Sequence, residues 1–243
     1  MQPDPTFLPP HPVPMASVVP VPKPLLRPVE HPDMSGLLTH FCHRSSSQTG
    51  IPQHVAAMSA QERLASILWS GQLWAFTTHS GGDPAVCLTE ATLNGLGFLI
   101  TRRQYQPWGL VFDRQKVYEA GGGPVWYVRG DEYYELRQTC STRAQARMVR
   151  LDTGSSDWLE EREWRIPIAP LPGPYQAAVP LASLGVVAVL VGDHAWAATR
   201  HDWAVSPVTG RTEYLPVVPA ALSGIPRWWW SSAHNQFFAL QPY

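Results

Sequence analysis

Eleven of the chain's 25 prolines fall within its first 33 residues, and that distribution sets the first limit on what can fold. Proline fixes φ and has no backbone N–H, so a stretch this rich in it builds neither a helix nor a strand ladder. Residues 1–33 are expected to be an extended polyproline-like or disordered arm, and residues 34–243 a single domain. Met34 offers a second reading. MSGLLTH opens directly into a strand-like segment, so the chain could start there, the upstream stretch being an extension. With 44% hydrophobic residues among 243, the chain can bury a sizeable core.

Charged residues make up only 15% of the chain, whereas Gly (18) and Trp (11) are abundant, a mix that favours short strands, frequent turns and aromatic surfaces. Eighteen Lys and Arg against nineteen Asp and Glu leave a formal charge of −1. Nucleic-acid binding would therefore need a local basic patch. Arg102, Arg103, Arg143, Arg147 and Arg150 are the candidates, although the last three read more readily as a solvated helix face. Cys42, Cys87 and Cys140 form an odd set without a CxxC pair, which predicts free thiols and a reducing compartment. The apolar run from Gly185 to Gly192 is far below the roughly 20 residues a bilayer span needs. Prolines interrupt any secretory pattern at the start, so the expectation is a cytoplasmic protein without membrane contact.

Leu38, His40 and Cys42 alternate with Leu37, Thr39 and Phe41, which predicts a strand over 37–42. Ser59-Ala-Gln-Glu62 has capping-box spacing, Leu64, Ile67 and Leu68 follow at helical spacing, and Gly71 closes the segment, so a helix is predicted over roughly 60–70. Strands are expected at 85–89, 109–113, 124–129, 161–168 and 186–192, and helices at 91–104, 114–120, 142–150 and 180–184. The fold class that results is α+β: a mixed, mostly antiparallel sheet core with few helices.

The densest charged segment is Trp158-Leu-Glu-Glu-Arg-Glu-Trp-Arg165. As a strand it would place Glu161, Glu163 and Arg165 on one face and Arg162, Trp164 and Ile166 on the other. Such a face is either a solvated edge or a pair of carboxylates lining a cleft, where they could hold ribose hydroxyls and stabilise a cationic sugar. A glycosidase use is less attractive, because residues two apart on one strand point the same way and do not flank a scissile bond. His40 reads either as a hydrogen-bonded core residue or as a ligand-binding one. His40, Cys42, His43 and Cys87 lack a second close ligand pair, so no metal site is expected. Tyr105, Trp108 and Tyr118 read as core aromatics or as a pocket wall on which a flat ring stacks. Trp228-Trp229-Trp230 and Phe237-Phe238 cannot all be hidden in one helix or strand, so some could form an interface or, equally, pack over the sheet. The P-loop, the GxGxxG turn, GxSxG and HExxH are all missing, which removes their nucleotide-hydrolase, Rossmann, serine-hydrolase and zinc-protease readings.

The order Leu38-Thr-His-Phe41, Arg63-Leu-Ala-Ser-Ile-Leu-x-x-Gly71, Val86-Cys-Leu-Thr-Glu90, Tyr105-x-x-Trp-Gly-Leu-Val-Phe112, Gly123-Pro-Val-Trp-Tyr127 and Glu161-x-Glu-Trp-Arg165 resembles the AbiGi family of bacterial abortive-infection proteins over roughly residues 35–193. That resemblance implies the antitoxin side of a phage-defence pair, a toxin–antitoxin role in antiviral defence that needs no enzyme and whose partner is a toxin. A more distant resemblance is to the ADP-ribosyltransferases: a strand His, a helix ending in Ile-Leu-x-x-Gly and a late strand Glu. It implies an ADP-ribosyltransferase-like fold with NAD as the substrate and a nucleic-acid or protein acceptor, and it is the favoured expectation of the two, because His40 and Glu163 fall in a chemically sensible order, with the antitoxin as the alternative. On that reading His40 bonds a ribose, Thr39 flanks it, Tyr105 or Trp108 stacks on nicotinamide, Glu163 holds the ribose 2′-hydroxyl and Glu161 orients the acceptor. The chain departs from the pattern in having no clean second-strand Tyr or Ser-Thr-Ser motif; Thr89-Glu90 stands near that place.

Overall fold

The computed structural model describes residues 33–42, 51–152, 157–171, 177–219 and 223–242. The proline arm up to residue 32 and His43 lie outside them. In chain order the elements are β1 (Leu37–Phe41), α1 (Gln53–Ala56), α2 (Ala60–Ser70), β2 (Gln72–Trp74), β3 (Ala85–Thr89), α3 (Leu93–Arg102), β4 (Gly109–Asp113) and α4 (Arg114–Glu119). Then come β5 (Gly123–Pro124), β6 (Trp126–Arg129), α5 (Gly130–Thr139), α6 (Thr142–Gln145), β7 (Met148–Leu151), β8 (Glu163–Pro167) and β9 (Ala178–Pro180). The chain ends with β10 (Val186–Val191), β11 (Arg200–Val205), β12 (Thr212–Val217), β13 (Arg227–Ser231) and β14 (Gln236–Leu240).

Eight strands form one sheet in the order β14-β13-β10-β4-β1-β3-β8-β5. Every neighbouring pair is antiparallel except β10 with β13. The fold is thus mixed α and β, built on a large and mostly antiparallel sheet with few helices. The strand pleat sorts side chains to two cores. One face carries Leu38, Val86, Leu88, Leu110, Phe112, Trp164, Ile166, Val189 and Val191, packed with Leu64 and Leu68 of α2. The other carries Phe41, Val111, Ala188 and Leu190, packed with Leu96 and Leu99 of α3 and with Tyr105. A small third cluster of Val128, Tyr133 and Met148 lies under α5.

Helix α2 follows from its local chemistry. The Ser59 side chain accepts from the Glu62 N–H while the Glu62 carboxylate accepts from the Ser59 N–H, so both groups of the capping box are satisfied. At the other end Gly71 takes the left-handed conformation, φ 67°, that a side chain would resist. Between the caps, Leu64 and Leu68 lie one turn apart on the buried face, each stabilising the fold by about 1.5–3 kcal/mol.

Several expected elements differ. The helix expected over 142–150 stops at Gln145, and Met148–Leu151 forms β7, parallel to β6. The segment 180–184 is a single 3-10 turn at Leu181–Ser183. The strand expected over 124–129 is cut at Val125: β5 stays on the main sheet beside β8, while β6 leaves it to pair with β7. Helix α5 begins at Gly130 with no side-chain cap and carries a mixed polar surface, so no periodic signal announces it. Strand β13 is internal, between β10 and β14, and its tryptophans are shared between the sheet faces: Trp229 joins the α2 side and Trp228 the α3 side. Among the described residues no helix is long and apolar enough to cross a membrane.

Candidate functional site

The acidic segment changes conformation in its middle. Leu159–Glu161 is a 3-10 turn, Arg162 has φ 46°, and the strand begins only at Glu163. Glu161 therefore does not belong to the alternation that places Glu163 and Arg165 on one face, which corrects the expected row of three. The turn is tied to the end of β3: the Thr89 hydroxyl donates to the Glu161 carbonyl, and the Glu90 N–H donates to the Arg162 carbonyl at 3.1 Å. The Glu161 carboxylate points inward, 3% exposed, and accepts a 2.6 Å hydrogen bond from the Tyr105 hydroxyl. Tyr105 is held just beyond α3 by its N–H to the Leu99 carbonyl and by an edge-on contact with Phe41 at 4.9 Å.

Glu163 stands in register with Thr89, which in turn is in register with Thr39, so the three form one row across β8, β3 and β1. The Glu163 carboxylate is 7% exposed and engaged by the Arg165 guanidinium through both oxygens, Nε to Oε1 at 2.8 Å and Nη2 to Oε2 at 2.9 Å. Arg165 Nη1 donates further to Thr78 Oγ1 (3.1 Å), Ser80 Oγ (2.9 Å) and the Ala146 carbonyl (2.8 Å). A buried pair holds only when the remaining donors and acceptors are also satisfied, and here the remote segments around Thr78 and Ala146 do that. The Tyr127 hydroxyl accepts the Glu163 N–H at 3.2 Å, and burial first, then the nearby carboxylates, hold that phenol above its ordinary pKa.

A further buried carboxylate, not singled out as a site residue by the sequence, is Glu90. It binds Arg114 Nη1 at 3.0 Å with Oε1 and accepts the Trp164 indole N–H at 2.9 Å with Oε2. Its place after a strand of alternating apolar residues was visible, but the partner Arg114 comes from α4, and no local spacing links the two.

The other expected site residues lie elsewhere. His40 belongs to the same side of the β1 pleat as Leu38 and Cys42, opposite to Thr39 and Glu163. Its Nδ1 sits 2.8 Å from the Cys87 carbonyl, and burial lowers its pKa against the opposing effect of that carbonyl. Trp108 packs with the α2-side core and meets Trp196 edge-on at 5.1 Å. The structure thus brings Thr39, Tyr105, Glu161 and Glu163 to one face of the sheet and places His40 and Trp108 on the other. No disulfide joins Cys42, Cys87 or Cys140, and burial pushes the Cys42 thiol up to about 12. Among the described residues no three His, Cys, Asp or Glu side chains gather as a metal site would require.

No known family model matches the chain, and no curated protein or solved structure matches it either.

Proposed function

We propose that the chain is a non-catalytic binding protein, the antitoxin or regulatory member of a phage-defence pair that the AbiGi resemblance implies, with a partner toxin as its target. One observation carries this reading: Glu161 and Glu163, the carboxylates that would have to act on a ribose, are buried and already engaged, one by a tyrosine hydroxyl and the other by a bidentate arginine. A carboxylate aimed at a developing cation stabilises it less when an arginine already neutralises its charge. The placement of His40 on the opposite side of the pleat points the same way. Partner binding is supported by the β11–β12 ribbon, where Trp203 and Tyr214, 70% and 59% exposed, stand directly opposite each other beside exposed Val205. Apolar faces of this kind on a surface mark interaction sites.

The transferase reading keeps one observation in its favour. Thr39, Thr89 and Glu163 share a row, and β1 and β3 are in register at a single pair, Thr39 with Thr89. In that reading the space where the strands part would take NAD as substrate, for transfer to a nucleic-acid or protein acceptor. One experiment separates the two: the native chain is incubated with adenine-labelled NAD and a bacterial lysate, and its complex with the product of the neighbouring reading frame is measured in parallel. The proposal expects a stable complex and no label in macromolecules. Label above a chain-free control would overturn it.

A further inference from the structure

Of the five arginines that could make a basic patch, two are neutralised where they stand: Arg103 by Glu160, and Arg150 by Asp152. Arg143 and Arg147 are not. Arg143 lies in α6 and Arg147 in the turn just after it, and both reach the same glycine loop, Gly121-Gly122-Gly123. Arg147 Nη2 donates to the Gly121 carbonyl, and a Cβ at Gly123 would meet Arg147 Nη1 at 3.5 Å. A Cβ at Gly121, where φ is +89°, would meet Arg143 Nη2 at 3.0 Å. Neither guanidinium has an ion pair among the described residues, and Arg147 Nε is buried without an acceptor.

Two like charges side by side, with an unmatched buried donor and no carboxylate, form a site short of negative charge. Burial and the charge of Arg143 together hold the Arg147 pKa below its ordinary value, as uncompensated neighbours should. Guanidinium forks match the oxygens of a phosphate group, and Arg143, exposed beside the loop, presents its fork to solvent.

We propose that Arg143 and Arg147, beside the Gly121–Gly123 loop, form a binding site for a phosphate group. The group could belong to a small phosphorylated ligand or to a nucleic-acid backbone, and the chemistry of capture is the same. The site does not depend on either functional reading above.

The test measures binding of inorganic phosphate and of a single-stranded oligonucleotide by calorimetry, in chloride buffer, on the full chain and on two variants. Arg143→Gln removes an exposed guanidinium that holds no other part of the fold, so folding survives. Arg150→Gln removes an arginine that Asp152 already neutralises. The native chain is expected to bind at least one probe, Arg143→Gln to weaken that binding about tenfold, the scale of one lost charge-assisted contact, and Arg150→Gln to leave it near native. Tighter binding of the oligonucleotide, falling steeply with salt, identifies the backbone as the source; equal or better binding of inorganic phosphate identifies a small ligand. Binding of neither probe, or an Arg143→Gln chain that binds as the native one does, overturns the proposal.

Discussion

At His40 the competition is between burial, which favours the neutral imidazole, and the Cys87 carbonyl, which favours the cation; burial wins and the folded pKa lies below the ordinary 6.5. The unfolded chain therefore binds the extra proton first. Stability contributed by neutral His40 is complete above about pH 6.5 and is lost as the pH falls from there through the folded pKa. Thermal melts between pH 8 and pH 5 are expected to show a larger drop in Tm for the native chain than for His40→Asn, and parallel drops would contradict this assignment. The period-2 alternation of β1 was legible and correctly separated His40 from Thr39. Its consequence for a site is stricter than the motif order suggested, because Thr39 shares a row with Glu163 and His40 cannot. What the spacing could not contain was the identity of the groups that engage Glu161 and Glu163. Tyr105 is 56 positions away from Glu161, and the Ser80 and Ala146 groups that complete Arg165 come from other elements.

Helix α2 is the element whose ends the sequence states most fully, and there the energetic prediction is sharpest. Ser59→Ala removes the side-chain acceptor of the cap and is expected to cost about 1 kcal/mol. Gly71→Ala meets no atom within 4 Å, so its cost, also about 1 kcal/mol, is the strain of the left-handed backbone alone. The two sites stand a helix length apart, and urea unfolding of the double variant is expected to give the sum; a clear departure from additivity would mean that the helix frays as a unit. Strands β3 and β4 were equally legible because both lie inside the sheet, with apolar runs cut by Pro, Gly or Asp. The failures share a cause. At Val125, at Arg162 and after Gln145 the chain changes partner or handedness within one or two residues, a tertiary decision that local pattern does not encode. The ribbon of β11 and β12 was not among the expected elements, and Trp203, Val205 and Tyr214 stand exposed on it.

Across the whole molecule, the Glu163–Arg165 pair is a junction. It sits on β8, between β3 and β5, and through Arg165 it ties the sheet to the Thr78–Ser80 segment and to the Ala146 turn that carries β6, β7 and α5. If these carboxylates are structural, as the binding-protein reading requires, their loss must be felt in stability before it is felt in any activity. Removing one partner of a buried pair leaves the other charge uncompensated, at a cost of about 3–5 kcal/mol. A carboxylate held for chemistry behaves otherwise, since functional sites are commonly strained and their neutralisation is often tolerated or stabilising. The decisive measurement is equilibrium urea unfolding of Glu163→Gln against the native chain. The account predicts a midpoint shifted down by the equivalent of about 3–5 kcal/mol at a similar m value, whereas a variant as stable as the native chain, or more stable, would contradict it and return Glu163 to the role of a catalytic group.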